Sequence, residues 1–186
     1  MEIIRGLAPG QSYTTPEGVT FTVRQRNAGV PDAEGWYLAR STEGEFSVRL
    51  PARFNDMTSV AKAEDGAVIT VYTLGTTAKD GTRIGVNCFA RSDSKFKAGG
   101  VTEAVKGLER WSRRFRWQPF SHDDISGVEF RGVYANGVDF AGHAFMAQNH
   151  LCEFIAEFAS SPWEEIPAMV RTSLYSFRST ANSPTR

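Results

Sequence analysis

Three histidines are the side chains best suited to acid–base or metal chemistry, and they are His122, His143 and His150. Ser121, His122 and Asp123 supply the residue types of a hydrolytic triad. They are neighbours in the sequence, whereas a triad requires three side chains that converge in space. His122 with Asp123 and Asp124 could offer an imidazole and two carboxylates to a divalent cation. A solvated loop in which an aspartate stabilises a turn explains the same residues, so we predict neither a catalytic residue nor a metal site.

The other two histidines have simpler explanations. His143 lies in a strand pattern beside Phe140 and Phe145, which predicts a hydrogen-bonded or half-exposed strand residue. His150 follows Asn149 and is most simply a turn residue.

The chain has two cysteines, Cys88 and Cys152, and both fall in apolar strand patterns. Neither C-x-x-C spacing nor an activating histidine pattern accompanies them, so they carry no signature of a thiol enzyme. We predict buried, reduced thiols. A disulfide requires that the two strands lie close together.

Basic residues concentrate in the middle of the chain. Residues 91–117 contain eight basic and three acidic residues, a net charge of +5, whereas residues 118–178 contain three basic and eight acidic residues, a net charge of −5. A basic helix in the first segment could dock an acidic protein surface or a phosphate backbone. An ordinary solvated helix face, partly paired with its own glutamates, is the alternative. The predicted partner-binding residues are Lys106, Arg110, Arg113, Arg114 and Trp117.

Two amphipathic helices are predicted. Apolar residues recur at intervals of three and four from Val101 to Phe115, including Trp111, which predicts a helix of about four turns. The second helix should begin near Pro167, with a core face formed by Val170, Leu174 and Phe177. Ser161 to Glu164 resembles a capping box, and Trp163 should pack at that helix start.

Most of the remaining chain has the two-residue period of β-strands. Asp65-Gly66, Asp80-Gly81 and Asn136-Gly137 mark hairpin turns, of which the last has the type I′ sequence. The segment 67–74 is apolar on both faces and should be a central strand covered on both sides. The predicted strands lie near residues 19–24, 36–40, 46–50, 57–63, 67–74, 84–88, 127–134, 140–148 and 151–159.

This order of elements predicts an α+β protein. Hairpin links favour a mostly antiparallel sheet of six or more strands, and two helices must bury their apolar faces against it, which gives a layered sandwich. The expected organisation is an N-terminal extension with a β-hairpin (residues 1–35), one α+β domain (36–178) and a flexible tail (179–186).

Composition narrows the functional classes. The 186 residues are 41% hydrophobic and carry 21 basic and 21 acidic residues, which argues against a general nucleic-acid binder. No apolar run has the length of a membrane span, and the first residues lack the apolar stretch of a signal peptide. We therefore expect a cytoplasmic protein with no membrane association and no cofactor.

One stretch resembles a known family. Trp36 precedes Gly44-Glu45-Phe46-Ser47-Val48-Arg49-Leu50-Pro51, and a closing helix ends in Ser176-Phe177. These motifs and the element order between Trp36 and Arg178 resemble the PsbP-like superfamily. It includes the extrinsic PsbP proteins of photosystem II, a Ran-binding nuclear transport factor and adaptor chaperones of type VI secretion. The resemblance implies an antiparallel sheet between helices and a non-enzymatic, partner-binding role, and it transfers no functional residue.

The leading hypothesis is therefore a non-enzymatic protein-binding module, adaptor or chaperone-like, acting through a sheet edge or a helix face. An anion- or RNA-binding domain that uses the basic helix is the second hypothesis. A small-ligand carrier or enzyme with a pocket between helix and sheet is the third.

Overall fold

The computed structural model describes residues 6–93, 96, 100–123, 125–159, 162–163 and 165–179. Within these residues the chain forms twelve strands and two helices. The strands are β1 (Ser12–Thr14), β2 (Thr20–Ala28), β3 (Tyr37–Arg40), β4 (Phe46–Leu50), β5 (Phe54–Lys62), β6 (Val68–Thr77), β7 (Arg83–Arg91), β8 (Ser112–His122), β9 (Ile125–Tyr134), β10 (Asp139–Ala147), β11 (His150–Phe158) and β12 (Arg178–Ser179). The helices are α1 (Gly100–Arg110) and α2 (Ala168–Leu174).

The strands form two sheets. Nine strands follow the order β1-β2-β5-β6-β7-β11-β10-β9-β8, and three follow the order β12-β4-β3. Every pairing between these strands is antiparallel. The prediction of an α+β chain with a mostly antiparallel sheet of at least six strands is therefore confirmed.

The large sheet consists of two meanders that meet at one seam. The N-terminal meander ends in β7 and the C-terminal meander is β8 to β11, with α1 between them in the chain. Their contact is the pairing of β7 with β11. Strand β2 pairs with both β1 and β5, so the N-terminal hairpin extends the same sheet.

Apolar side chains are buried on both faces of the C-terminal meander. Alternate residues of a strand point to opposite faces, and β10 illustrates this. Ala141 and Phe145 belong to a cluster that includes residues of β4 and α2. Phe140 and Ala144 belong to a second cluster, with Val105 of α1.

The three glycine-containing hairpin turns share one geometry, which is not the type I′ geometry predicted for Asn136-Gly137. Gly66, Gly81 and Gly137 have φ values of 87°, 87° and 88°. The amide of Gly81 donates to the carbonyl of Ala78, whose own amide donates to Thr82, a pattern repeated in the other two turns. This is a three-residue loop closed by a left-handed glycine. The predicted type I′ turn at Asn136-Gly137 is wrong, because that type requires positive φ at both residues and Asn136 lacks it.

The first predicted helix is too long. Helix α1 ends at Arg110, Trp111 is 75% exposed, and Phe115 lies in β8, opposite Gly132 of β9. A spacing of four residues satisfies both a helical period and a period of two, so Trp111 and Phe115 could not distinguish the two structures. Strand β8 is an edge strand, which accommodates Pro119.

The second helix begins where predicted but ends earlier, at Leu174, so the predicted closing pair Ser176-Phe177 lies beyond it. It begins at Ala168 directly after Pro167, and Val170, Leu174 and Phe177 are buried. Residues Ser161 and Glu164 of the predicted capping box lie outside the described residues, as do residues 180–186 of the predicted tail. None of the described helices is long and apolar enough to cross a membrane.

Candidate functional site

The prediction that the basic partner-binding residues lie on one helix is wrong. Lys106 and Arg110 lie on α1, whereas Arg113, Arg114 and Trp117 lie on β8. A break in the β8–β9 register between Ser112 and Arg114 leaves Arg113 without a cross-strand partner position. The five predicted partner-binding residues therefore belong to two elements with different side-chain periods.

The alternation of side chains along β8 places these residues on different faces of the sheet. Lys106 and Trp117 line a depression of about 140 Å³ between α1 and the sheet, and Lys106 Nζ lies 3.1 Å from Glu103 Oε1. Arg114 has the opposite orientation on β8, since it is three residues from Trp117. Its guanidinium lies 3.7 Å from the centre of the Trp163 ring. The predicted residues do not form one patch.

Trp163 packs against arginines rather than at a helix start. The guanidinium groups of Arg116 and Arg131 lie 5.2 Å and 5.4 Å from its ring centre, in addition to that of Arg114. Arg131 is buried and donates to the carbonyl of Glu165. Arg114 and Arg116 of β8 and Arg131 of β9 therefore bind the segment that precedes α2.

The predicted cation ligands are arranged as a surface ion pair. His122 Nε2 lies 3.5 Å from Asp123 Oδ2, which also lies 3.1 Å from Arg178 Nη2. Asp124 lies outside the described residues. In the described ranges, no group of three or more histidine, cysteine, aspartate or glutamate side chains could hold a metal ion.

His143 belongs to a buried hydrogen-bond network. It is 2% exposed, and its Nε2 lies 3.2 Å from Glu129 Oε2, which also accepts a hydrogen bond of 3.1 Å from the Tyr175 hydroxyl. Gln118 donates to the other oxygen at 3.1 Å. The interaction with His143 is the main reason that the pKa of Glu129 lies below its usual range, and burial opposes it. The prediction of a satisfied strand histidine is confirmed.

The depressions beside this network are small, and the one lined by Gln118 and Glu129 measures about 50 Å³. His143 stacks on Phe120 at 4.0 Å between ring centres. The cavity beside these two rings measures about 10 Å³, which is about the smallest space that accommodates one water. Gln118, Glu129 and His143 occupy paired positions on β8, β9 and β10, so the network follows from strand register.

The prediction of reduced cysteines is wrong, although both side chains are buried. Cys88 and Cys152 occupy opposed positions of β7 and β11, with their Cα atoms 4.1 Å apart, and their sulfur atoms are bonded. The sequence contains no signal for this pairing, because it depends on which strands meet at the seam.

A larger surface lies on the N-terminal meander. On β7, Ile84, Val86 and Cys88 are buried, whereas the alternate residues Asn87 and Phe89 are only half-buried. One face of this half of the sheet is therefore covered and the other is accessible to solvent. We call the accessible surface the open face, and it is formed by Phe21, Met57, Ser59, Val71, Thr73, Gly75, Gly85, Asn87, Phe89, Leu151 and Glu153.

The open face has a depression at one end, where Arg26 and Arg83 also contribute to the lining. This depression of about 510 Å³ lies between β2, β5, β6 and β7, and its lining includes Phe21, Met57 and Thr73. Gly75 and Gly85 are opposed across β6 and β7. Gly75 lines the depression, and Gly85 lies beside it, where a Cβ atom would meet no atom within 4 Å.

No family model, curated protein or solved structure matches this chain. The resemblance to the PsbP-like superfamily therefore stays a prediction.

Sequence reasoning missed the open face. The strand at residues 67–74 was expected to be covered on both sides, because both of its faces are apolar. In the structure β6 is an interior strand, but Val71 and Thr73 are half-buried. The available signal was the period-two alternation of β7, in which polar and small residues share a face with Phe89.

Proposed function

We propose that this protein is a non-enzymatic binding module, adaptor or chaperone-like, that holds an apolar segment of a partner protein on the open face. The proposal depends on the difference in burial between the two faces of β7. Ile84, Val86 and Cys88 are buried on one face, whereas Asn87 and Phe89 are half-buried on the other. Concave surfaces lined mainly by apolar side chains are the usual sites of ligand and peptide binding.

The dimensions suit a peptide segment. Neighbouring strands lie about 4.8 Å apart, so a row of side chains from β2 to β11 is about 20 Å long. One such row consists of Phe21, Ser59, Val71, Phe89 and Leu151, which occupy paired positions on successive strands. Four of these five side chains are apolar, and they can contact successive apolar residues of a bound segment.

Filling the depression tests the proposal. Gly85→Phe would place a ring next to Gly75, which lines the depression, and Gly85 needs no positive φ, so the strand should tolerate it. We expect loss of binding to a fluorescent peptide with a leucine–alanine centre and glycine–serine ends. Arg40→Phe adds the same ring at an exposed position of β3 and should leave binding intact. Equal binding by wild type and Gly85→Phe contradicts the proposal.

An anion-binding role is the second candidate, because Arg113, Arg114 and Arg116 are all exposed on edge strand β8. It predicts that affinity for a single-stranded RNA falls steeply with salt and that Arg113→Glu reduces the salt slope. Affinity that is independent of salt contradicts it.

The layered sandwich is part of the leading proposal. Its support is the pair of apolar clusters on the two sides of β10, one joined to α1 and the other to α2 and β4. The resemblance to the PsbP-like superfamily likewise implies an antiparallel sheet between helices.

A further inference from the structure

Glu153 lies on the open face at the border of the region covered by α1. Its paired positions are Asn87 on β7 and Ala144 on β10, and Ala144 belongs to the cluster with Val105 of α1. The side chain is half-buried and makes neither a hydrogen bond nor an ion pair with any residue in the described ranges. Burial raises the pKa of its carboxyl group.

Glu157 provides a comparison on the same strand and face. Its Oε2 lies 2.7 Å from Arg83 Nη2. The next arginine on this face of β7, Arg91, is held by Asp65 at 2.8 Å and by Asp93 at 3.0 Å. The cations of β7 are therefore engaged, and within the described part of the chain no cation pairs with the Glu153 carboxylate.

We propose that the segment bound on the open face carries a lysine or arginine that pairs with Glu153, next to an apolar residue that contacts Phe89 and Leu151. This inference rests on the proposed function and specifies the chemistry of its partner.

The physical reason is charge complementarity on an apolar surface. A half-buried carboxylate is partly desolvated, so a cation that covers it gains more than it would at a fully exposed position. Leu151 precedes Glu153 by two residues on the same face, and Phe89 is paired with Leu151. A partner with a charged residue beside an apolar one matches this order, whereas a uniformly apolar segment would bury the carboxylate without compensation.

Three peptides and two variants test the pairing. The peptides share a leucine–alanine sequence with glycine–serine ends and have lysine, norleucine or glutamate at the centre. We expect the lysine peptide to bind the wild-type protein about tenfold more tightly than the norleucine peptide, since a hydrogen bond to a charged group contributes at least that factor. In Glu153→Gln the two peptides should bind equally. In Glu153→Lys the glutamate peptide should become the preferred one.

Glu157→Gln is the matched control, because it removes a carboxylate from the same face of β11 that is already paired. It should keep the preference for lysine. Equal affinity of the lysine and norleucine peptides for wild type, or a preference that survives in Glu153→Gln, overturns the role of Glu153 and leaves the proposed function standing. Failure of all three peptides to bind the wild type overturns the proposed function itself.

Discussion

Cys88 and Cys152 face each other across the pairing of β7 with β11, and their disulfide crosses the seam between the two meanders. The bond spans a sequence separation of 64 residues. Linking residues so far apart restricts the unfolded chain strongly, which is the main origin of disulfide stabilisation in the chain-entropy account.

Removal of this bond should therefore lower stability. We expect the double variant Cys88→Ala/Cys152→Ala to lose about 2–5 kcal/mol of unfolding free energy, measured by urea denaturation without reductant. Wild type in dithiothreitol should shift in the same direction, while the double variant should not respond to dithiothreitol. A wild-type curve that is unchanged by reductant contradicts the prediction.

The same bond bears on the predicted cytoplasmic location, because disulfides persist mainly in oxidising compartments. Alkylation of the thiols would measure the redox state directly. Because both side chains are buried, the cells should be quenched in acid and the thiols alkylated under denaturing conditions. Labelling of both cysteines would support a reducing compartment, and labelling only after added reductant would support an oxidising one.

The Glu129–His143 pair should make the free energy of unfolding depend on pH in the acidic range. The pKa of Glu129 is lowered from a reference value of 4.5. Its contribution is complete above that value and disappears as pH falls through the lower pKa of the folded state. Glu129→Gln should lose about 1–3 kcal/mol at pH 7, and the difference from wild type should shrink below pH 4.5.

Thermal unfolding of both proteins between pH 3 and pH 7 checks this expectation. Gln118→Ala serves as a control, since it removes one hydrogen bond to the same carboxylate but leaves the interaction with His143. A constant difference between wild type and Glu129→Gln over this range would show that the pair is not the source.

Glu153 should have the opposite effect on stability. Burial raises the pKa of its carboxyl group above the reference value of 4.5, so the ionised form is penalised in the folded state. The penalty is absent below the reference value and complete above the raised pKa. Glu153→Gln should therefore raise the melting temperature at pH 7 to 8, and the gain should vanish near pH 4. A variant that melts below wild type at pH 8 contradicts this.

Two glycines should respond differently to the same substitution. A Cβ atom at Gly142 would overlap the carbonyl oxygen of Phe154, whereas one at Gly85 would meet nothing within 4 Å. Gly142→Ala should abolish folding or cost several kcal/mol by forcing β10 away from β11. Gly85→Ala should be neutral or stabilising, because alanine restricts the unfolded chain more than glycine does.

Circular dichroism and urea denaturation of the two variants measure this contrast, and each variant is the control for the other. Equal stability of Gly142→Ala and wild type would mean that β10 and β11 can separate without cost.

Local patterns predicted much of the fold. The alternation of Cys152, Phe154 and Ala156 correctly indicated a buried strand face, and Pro167 correctly marked the start of α2. Aspartate–glycine pairs marked two hairpins, because a left-handed residue is needed there and glycine adopts it without strain. The spacing of Trp111 and Phe115 fits both the period of a helix and the period of a strand. At these residues the pattern predicts a helix, whereas Phe115 lies in strand β8.

By itself, the sequence determined which side chains are apolar and where the chain turns, since both depend on neighbours within a few residues. The tertiary structure alone decided that β7 meets β11, which joins Cys88 to Cys152 and places Glu153 beside Asn87. It also decided which half of the sheet α1 covers. These relationships depend on strand register and on packing between distant segments, and no local period encodes either one.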